Sequence, residues 1–143
     1  METMSSSTPE SQRTLQSAEK SAFIRVVNVT RKTEIARNAE VAGSAAKRSM
    51  GLLSRKGLSA GEGMWIVPCE AVHTFFMKFP LDLVYLDKKR RVKKVRTGVL
   101  PWRLSACLSA HSILELPCGA IRDSQTQVGD SVEIVPVRSL ESN

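Results

Sequence analysis

Apolar and polar residues alternate in short runs along most of the chain, the period-two signature of half-buried strands. Phe23, Ile24, Val26, Val27 and Val29 form a β-branched run interrupted by Arg25, and residues 64–67 form a second that ends at Pro68, which has no amide hydrogen for a ladder. Residues 73–78 read as a strand broken by Phe79-Pro80, and residues 82–87 resume it. Within that segment Leu83 and Tyr85 would face one way, Val84 and Leu86 the other. Both faces are apolar, which predicts a central strand covered on both sides. Asp87-Lys88-Lys89-Arg90 then stands where a hairpin turn is needed, although it lacks the Asn-Gly or Asp-Gly signature. Residues 92–99 would return, and the spacing of Val92, Val95 and Val99 predicts a bulge. Residues 112–116 make a further strand, stopped by Pro117 and Gly119, and residues 131–137 a final one with Val132 and Ile134 alternating. Residues 31–40 are too mixed to assign, Val41 would close a short strand, and residues 101–110 read as irregular.

Helical periodicity is confined to one stretch. Ser44 is a suitable N-cap, Ala46, Met50 and Leu53 repeat at helical spacing, and Lys56-Gly57 would end the element. Gly51 inside it costs roughly 1 kcal/mol relative to Ala. One or two helical turns also fit residues 120–127. The expected fold class is therefore mainly β: a compact β-sandwich or partly closed barrel of about seven short strands with one or two short helices. An α+β sheet with helices on one face is the alternative. No internal repeat is present. A single domain is expected over residues 21–138, preceded by a disordered tail at 1–20 with little to bury and followed by a frayed end at 139–143.

Composition narrows the setting. The chain's 143 residues are enough for one core, and its 42% apolar content is ordinary for a globular protein. No apolar run approaches the ~20 residues that span a bilayer. Without a basic, apolar leader at the front, a cytoplasmic protein is expected. Its three cysteines, an odd number at irregular spacing, are then free thiols and not a disulfide framework. The net charge of +7 is local: Lys88, Lys89, Arg90, Arg91, Lys93, Lys94 and Arg96 lie in one window without an acid, and outside it 14 basic residues face 14 acidic ones.

Several short motifs run in a recognisable order. They are Arg48-x-x-Gly51-Leu52, Glu62-Gly63-Met64, His73-x-Phe75-x-Met77-Lys78, Pro80-Leu81-Asp82 with Leu86-Asp87, Leu114-Glu115-Leu116-Pro117-x-Gly119, and Gly129-Asp130. In this the chain resembles the bacterial and archaeal domain-of-unknown-function family 192, over roughly residues 23–137. The resemblance implies a compact β-rich domain of sandwich or barrel type and brings no established activity with it. Two departures stand out: Phe76 where the family often has Trp, and a shorter link between Met-Lys and Pro-Leu-Asp. Some members carry an export signal that this chain does not show.

Three constellations hold chemistry. His73, Met77, Lys78 and Asp82 cluster in one segment, and with Trp65 or Trp102 as a wall they would line a ligand cleft; the bland alternative is a packed strand with a turn-capping Asp82. Cys69, His73, Cys107, His111 and Cys118 are soft or borderline ligands that suit zinc, or a thiol paired with an imidazole base. They lack the tight Cys-x-x-Cys knuckle, so no metal site and no cofactor are predicted, and free thiols are the simpler reading. The basic window would contact phosphates, although no interleaved aromatic supports base stacking. Its simpler role is a charged edge that blocks sheet-to-sheet association. The expected function is a small binding domain for a small ligand or a protein partner. A metal- or thiol-dependent protein and a polyanion-binding module are the alternatives; nucleic acid is the less favoured partner, and whether there is catalysis stays open.

Overall fold

A computed structural model describes residues 18–44, 51–53 and 55–137. Among the described residues these elements follow one another: β1 (Phe23–Asn28), β2 (Thr33–Ala42), β3 (Glu62–Ile66), β4 (Ala71–His73), β5 (Leu81–Leu86), β6 (Val92–Val99), β7 (Leu104–Ala106), β8 (Ser112–Pro117), α1 (Ala120–Ser124) and β9 (Val132–Pro136). Residues 18–20 are also helical. Seven strands form one sheet in the order β6-β5-β8-β3-β2-β1-β9, and β4 pairs with β7 in a separate two-stranded sheet. Only β2 and β3 run parallel among the paired strands of the described residues.

The large sheet curls until its edge strands meet at one end. Arg91 bridges Ser131, and the Val92 and Val132 amides donate to the carbonyls of Asp130 and Arg90, both at 2.9 Å. The outcome is a partly closed barrel. Its inner face packs Ile24, Val26, Ala39, Trp65, Val84, Leu114, Leu116 and Ile134 into one core. On the outer face Met64, Ile66, Leu81, Leu83, Tyr85 and Ile113 pack beneath the β4–β7 flap. β5 and β8 have apolar residues on both faces because both faces are covered. Two register shifts between β5 and β6 absorb the irregular spacing of Val92, Val95 and Val99.

Close packing also explains the glycine of Glu62-Gly63-Met64. A Cβ on Gly63 would sit 2.8 Å from the Glu115 carbonyl oxygen and 3.0 Å from a Leu116 methyl, and backbone cannot step aside cheaply. Gly63→Ala is expected to destabilise the fold by about 1–3 kcal/mol in urea unfolding. Gly57→Ala, which meets nothing within 4 Å, should fall within about 0.5 kcal/mol of the parent. Equal effects at the two sites would refute the packing explanation.

Three local readings change in the structure. The strand expected at 73–78 ends at His73, because buried Thr74 turns the chain: its carbonyl accepts from the Met77 and Trp102 amides at 3.2 and 2.9 Å. Residues 31–40, which the local pattern does not assign, supply most of β2, a strand of 10 residues held by pairing on both sides. Residues 101–110 contain β7, which exists because β4 offers it a partner. Within the expected helix after Ser44, residues 45–50 and 54, Arg48 among them, lie outside the described residues, while 51–53 form a turn with Gly51 at φ 47°. The expected tail and frayed end fall almost wholly on residues outside the described set.

Candidate functional site

Strand β8 reads Ile113-Leu114-Glu115-Leu116, with a carboxylic acid where strand alternation places an outer-face apolar residue. Glu115 is 6% exposed, and its carboxyl makes no hydrogen bond or ion pair with a described residue. Burial pushes that carboxyl up to about 7. It opens into a pocket of about 110 Å³ whose walls include Leu52, Ile66, Cys69, Val72, His73 and Met77.

The flap shapes the pocket's rim. β4 delivers His73, and the Thr74 turn then tucks Met77 into the outer core while leaving Phe76 69% exposed. Thr74 also knits the turn to the loop before β7: its hydroxyl donates to the Leu100 carbonyl (2.7 Å) and accepts from the Arg103 amide (2.8 Å). His73, Phe75, Trp102 and Phe76 form a row of touching rings, with centroids 5.0, 5.7 and 4.6 Å apart in that order. Phe76 and Trp102 hold φ values of 64° and 66°, a left-handed conformation costly for bulky side chains. The two strained residues are exposed aromatics in contact with each other, beside the pocket.

The structure divides the expected site residues. His73 and Met77 line the pocket, and Trp102 reaches it through Phe75. Lys78 is exposed beyond the pocket lining. Asp82 turns to the inner face, where it accepts hydrogen bonds from the amides of Gly98, Gly119 and Ile121 at 2.9–3.1 Å. Trp65 is a correction: it is fully buried in the inner core and walls no cleft on the flap side.

The thiol and imidazole set is also split. Cys69 and His111 share a separate open groove of about 700 Å³ with Glu70, Asp87, Lys88 and Lys89. Cys107 lies beside Ser109, and Cys118 opens elsewhere, among Ile35, Arg37 and Asp123. None of the three cysteines forms a disulfide with a described residue. No three His, Cys, Asp or Glu side chains among the described residues converge as metal ligands. Burial, then nearby Asp82, pushes the Cys118 thiol up, away from the thiolate that a nucleophile needs.

The basic window is divided as well. Lys88, Lys89, Arg91 and Lys93 are exposed, whereas Lys94 and Arg96 donate to carbonyls of the flap strand β7. Arg90 leaves the set altogether: it is buried with its guanidinium 4.5 Å from the Trp65 ring centroid.

The model of domain-of-unknown-function family 192, described as "Uncharacterized ACR", matches residues 26–134. The chain belongs to that family. Family 192 relatives include a UPF0127 protein of Thermococcus kodakarensis, 32% identical over 101 residues, which cover 66% of this chain and 63% of that one. The chain thus spans under two thirds of that relative's length. A UPF0127 protein of Pyrococcus furiosus is 31% identical over 114 residues, covering 76% of this chain and 96% of the relative. Two crystal structures share the fold. A candidate transcription regulator of Sinorhizobium meliloti superposes with a TM-score of 0.68 at 18% identity, covering 78% of this chain and 91% of that one. A protein of unknown function from Novosphingobium aromaticivorans gives 0.65 at 23% identity, covering 78% and 83%. No helix among the described residues is long and apolar enough to cross a membrane.

Sequence reasoning about sites passed over Glu115, although it stands in the Leu-Glu-Leu-Pro motif. The available signal was a lone acid inside a strand otherwise apolar on both faces, since an acid there must find a partner, a proton or a ligand.

Proposed function

We propose that this domain binds a small ligand that presents an ammonium head to Glu115 and an apolar body to the flap. The buried Glu115 carboxyl, without a partner among the described residues and opening into the pocket, carries the reading. Its walls of Leu52, Ile66, Val72 and Met77 suit a short apolar group, and the ring row from His73 to Trp102 extends the contact surface outward. An ammonium head supplies the charge that ionised Glu115 lacks and is better recognised as the carboxyl loses its proton. A cytoplasmic setting fits three cysteines that form no disulfide with one another.

The test is a titration with methylammonium and its short alkyl homologues, followed by NMR shifts of the His73 and Met77 side chains. Affinity should rise about tenfold per pH unit below pH 7 and level off above it, as Glu115 ionises. Glu115→Gln should remove both the binding and its pH dependence. Binding of equal strength in that variant, or none by any homologue in the parent, refutes the reading.

A further inference from the structure

Among the described residues, every side-chain nitrogen or oxygen that is wholly shut off from solvent and has no hydrogen-bond partner belongs to one of four residues; the Glu115 oxygens, which open into their pocket, are not among them. The four are Trp65 (Nε1), Arg90 (Nε and Nη1), His111 (Nδ1) and Ser112 (Oγ). Each such atom costs about 1–3 kcal/mol if left unmet.

Trp65, Arg90 and Ser112 gather at one end of the barrel, on the face of the sheet opposite Glu115, and His111 stands at the rim. The Arg90 guanidinium lies 4.5 Å from the Trp65 ring centroid. Trp65 pairs with Leu114 on β8, two residues from Ser112 and on the same face. Ser112 in turn pairs with Leu86, the last residue before the hairpin that carries Arg90, and the His111 amide donates to the Leu86 carbonyl at 2.7 Å. Three stretches distant in sequence thus place the residues that carry these atoms side by side.

The chemistry of the set has one sense. An indole N–H and a guanidinium only donate, and a hydroxyl and an imidazole are able to. Arg90 adds a buried positive charge, with no ion pair to a described residue. Burial pushes its guanidinium below the ordinary value, with Glu19 opposing. Glu19 is the acid at the rim, but its carboxylate is 3.8 Å from His111 Nε2, on that ring's outer side, and is 39% exposed. What the cluster lacks is a negatively charged acceptor.

We propose that Trp65, Arg90 and Ser112, with His111 at the rim, form a binding site for a small oxyanion, a carboxylate or a phosphoryl group. Arg90 supplies the charge and two N–H donors, and the indole and hydroxyl fix the orientation. This site is separate from the Glu115 pocket and takes a ligand of opposite charge.

The experiment uses the full chain with Trp102→Phe, which leaves Trp65 as the sole tryptophan. Inorganic phosphate and acetate are titrated in separate arms at constant ionic strength set with sodium chloride, while Trp65 emission and Tm are followed. A saturable change in both readouts is expected in at least one arm; response to phosphate alone assigns a phosphoryl group, and response to acetate a carboxylate. Arg90→Met should weaken the response about tenfold or more, since a charge-assisted pair is lost. Removing a buried, unpaired cation leaves that variant able to fold, and Ser112→Ala, expected to weaken binding about fivefold, serves as a second test. Glu115→Gln should leave the response intact, so failure here and failure of the ammonium reading are told apart. No response in either arm, or an equal response in the parent and Arg90→Met as general salt stabilisation would give, overturns the proposal.

Discussion

Asp82→Ala is expected to destabilise the fold by about 3–5 kcal/mol, a drop in Tm of roughly 10–20 °C for a domain of this size. The Asp82 carboxylate is 1% exposed and accepts three backbone hydrogen bonds. One comes from Gly98, which sits at φ 58° near the end of β6. The others come from Gly119 and Ile121, at the start of α1. That helix has no side-chain cap of its own, since Gly119 holds the N-cap position. Asp82 therefore supplies from β5 the acceptor that an N-cap residue usually supplies locally. Removing it leaves three amides unmet and unties the β6 edge from α1. Asp82→Asn should recover only part of the loss, because one acceptor oxygen becomes a donor facing other donors. Thermal and urea unfolding of the two variants provide the check. A change in Tm of only a few degrees for Asp82→Ala would show that Asp82 does not hold these loops in place.

The second large effect belongs to Glu115. Its carboxyl ionises at about 7 in the folded chain and has an ordinary value of 4.5. Between those values the folded state holds the proton that the unfolded state has released. Stability therefore falls as pH rises through that window, and on the order of 3 kcal/mol is lost by the time the pH passes 7. His111 has the opposite slope: burial lowers its value below 6.5, so it costs stability as pH falls. Comparison with Glu115→Gln separates the two. That variant should match the parent near pH 5, be more stable by about 2–3 kcal/mol near pH 8, and show a much flatter profile. Urea unfolding across that range measures the difference. Parallel profiles for parent and variant would mean that Glu115 is paired or solvated in the folded chain. An ammonium ligand should restore part of the parent's stability above pH 7, because it binds the ionised folded state.

The two acids illustrate what a motif discloses. Asp82 stands out in the sequence beside Pro80 and near His73, and proximity along the chain suggests one shared site with them. The strand sends alternate residues to opposite faces, however, and Asp82 goes inward while the flap pocket lies outside. Glu115 attracts less notice because its neighbours are all core residues. Only the pairing of β8 with β3 and β5 shows that the acid is buried on the pocket side.

The amino-acid sequence by itself determined the strand-rich class, the covered central strand β5, the hairpin after Asp87, the β6 bulge and the family. Each depends on alternation, turn residues or short motifs, all of which are properties of neighbours in the chain. It also determined His73 and Met77 as residues of interest, and both line the pocket. Tertiary structure alone decided the rest. β2 and β7 are strands because partners distant in sequence meet their backbone groups, a requirement that local composition does not record. Arg90 leaves its basic window for the Trp65 ring because the curl of the sheet brings the hairpin over the barrel end. Whether a charged residue is solvated, paired or buried depends on contacts across the whole chain, and that is why the polar residues of both sites came into view only with the fold.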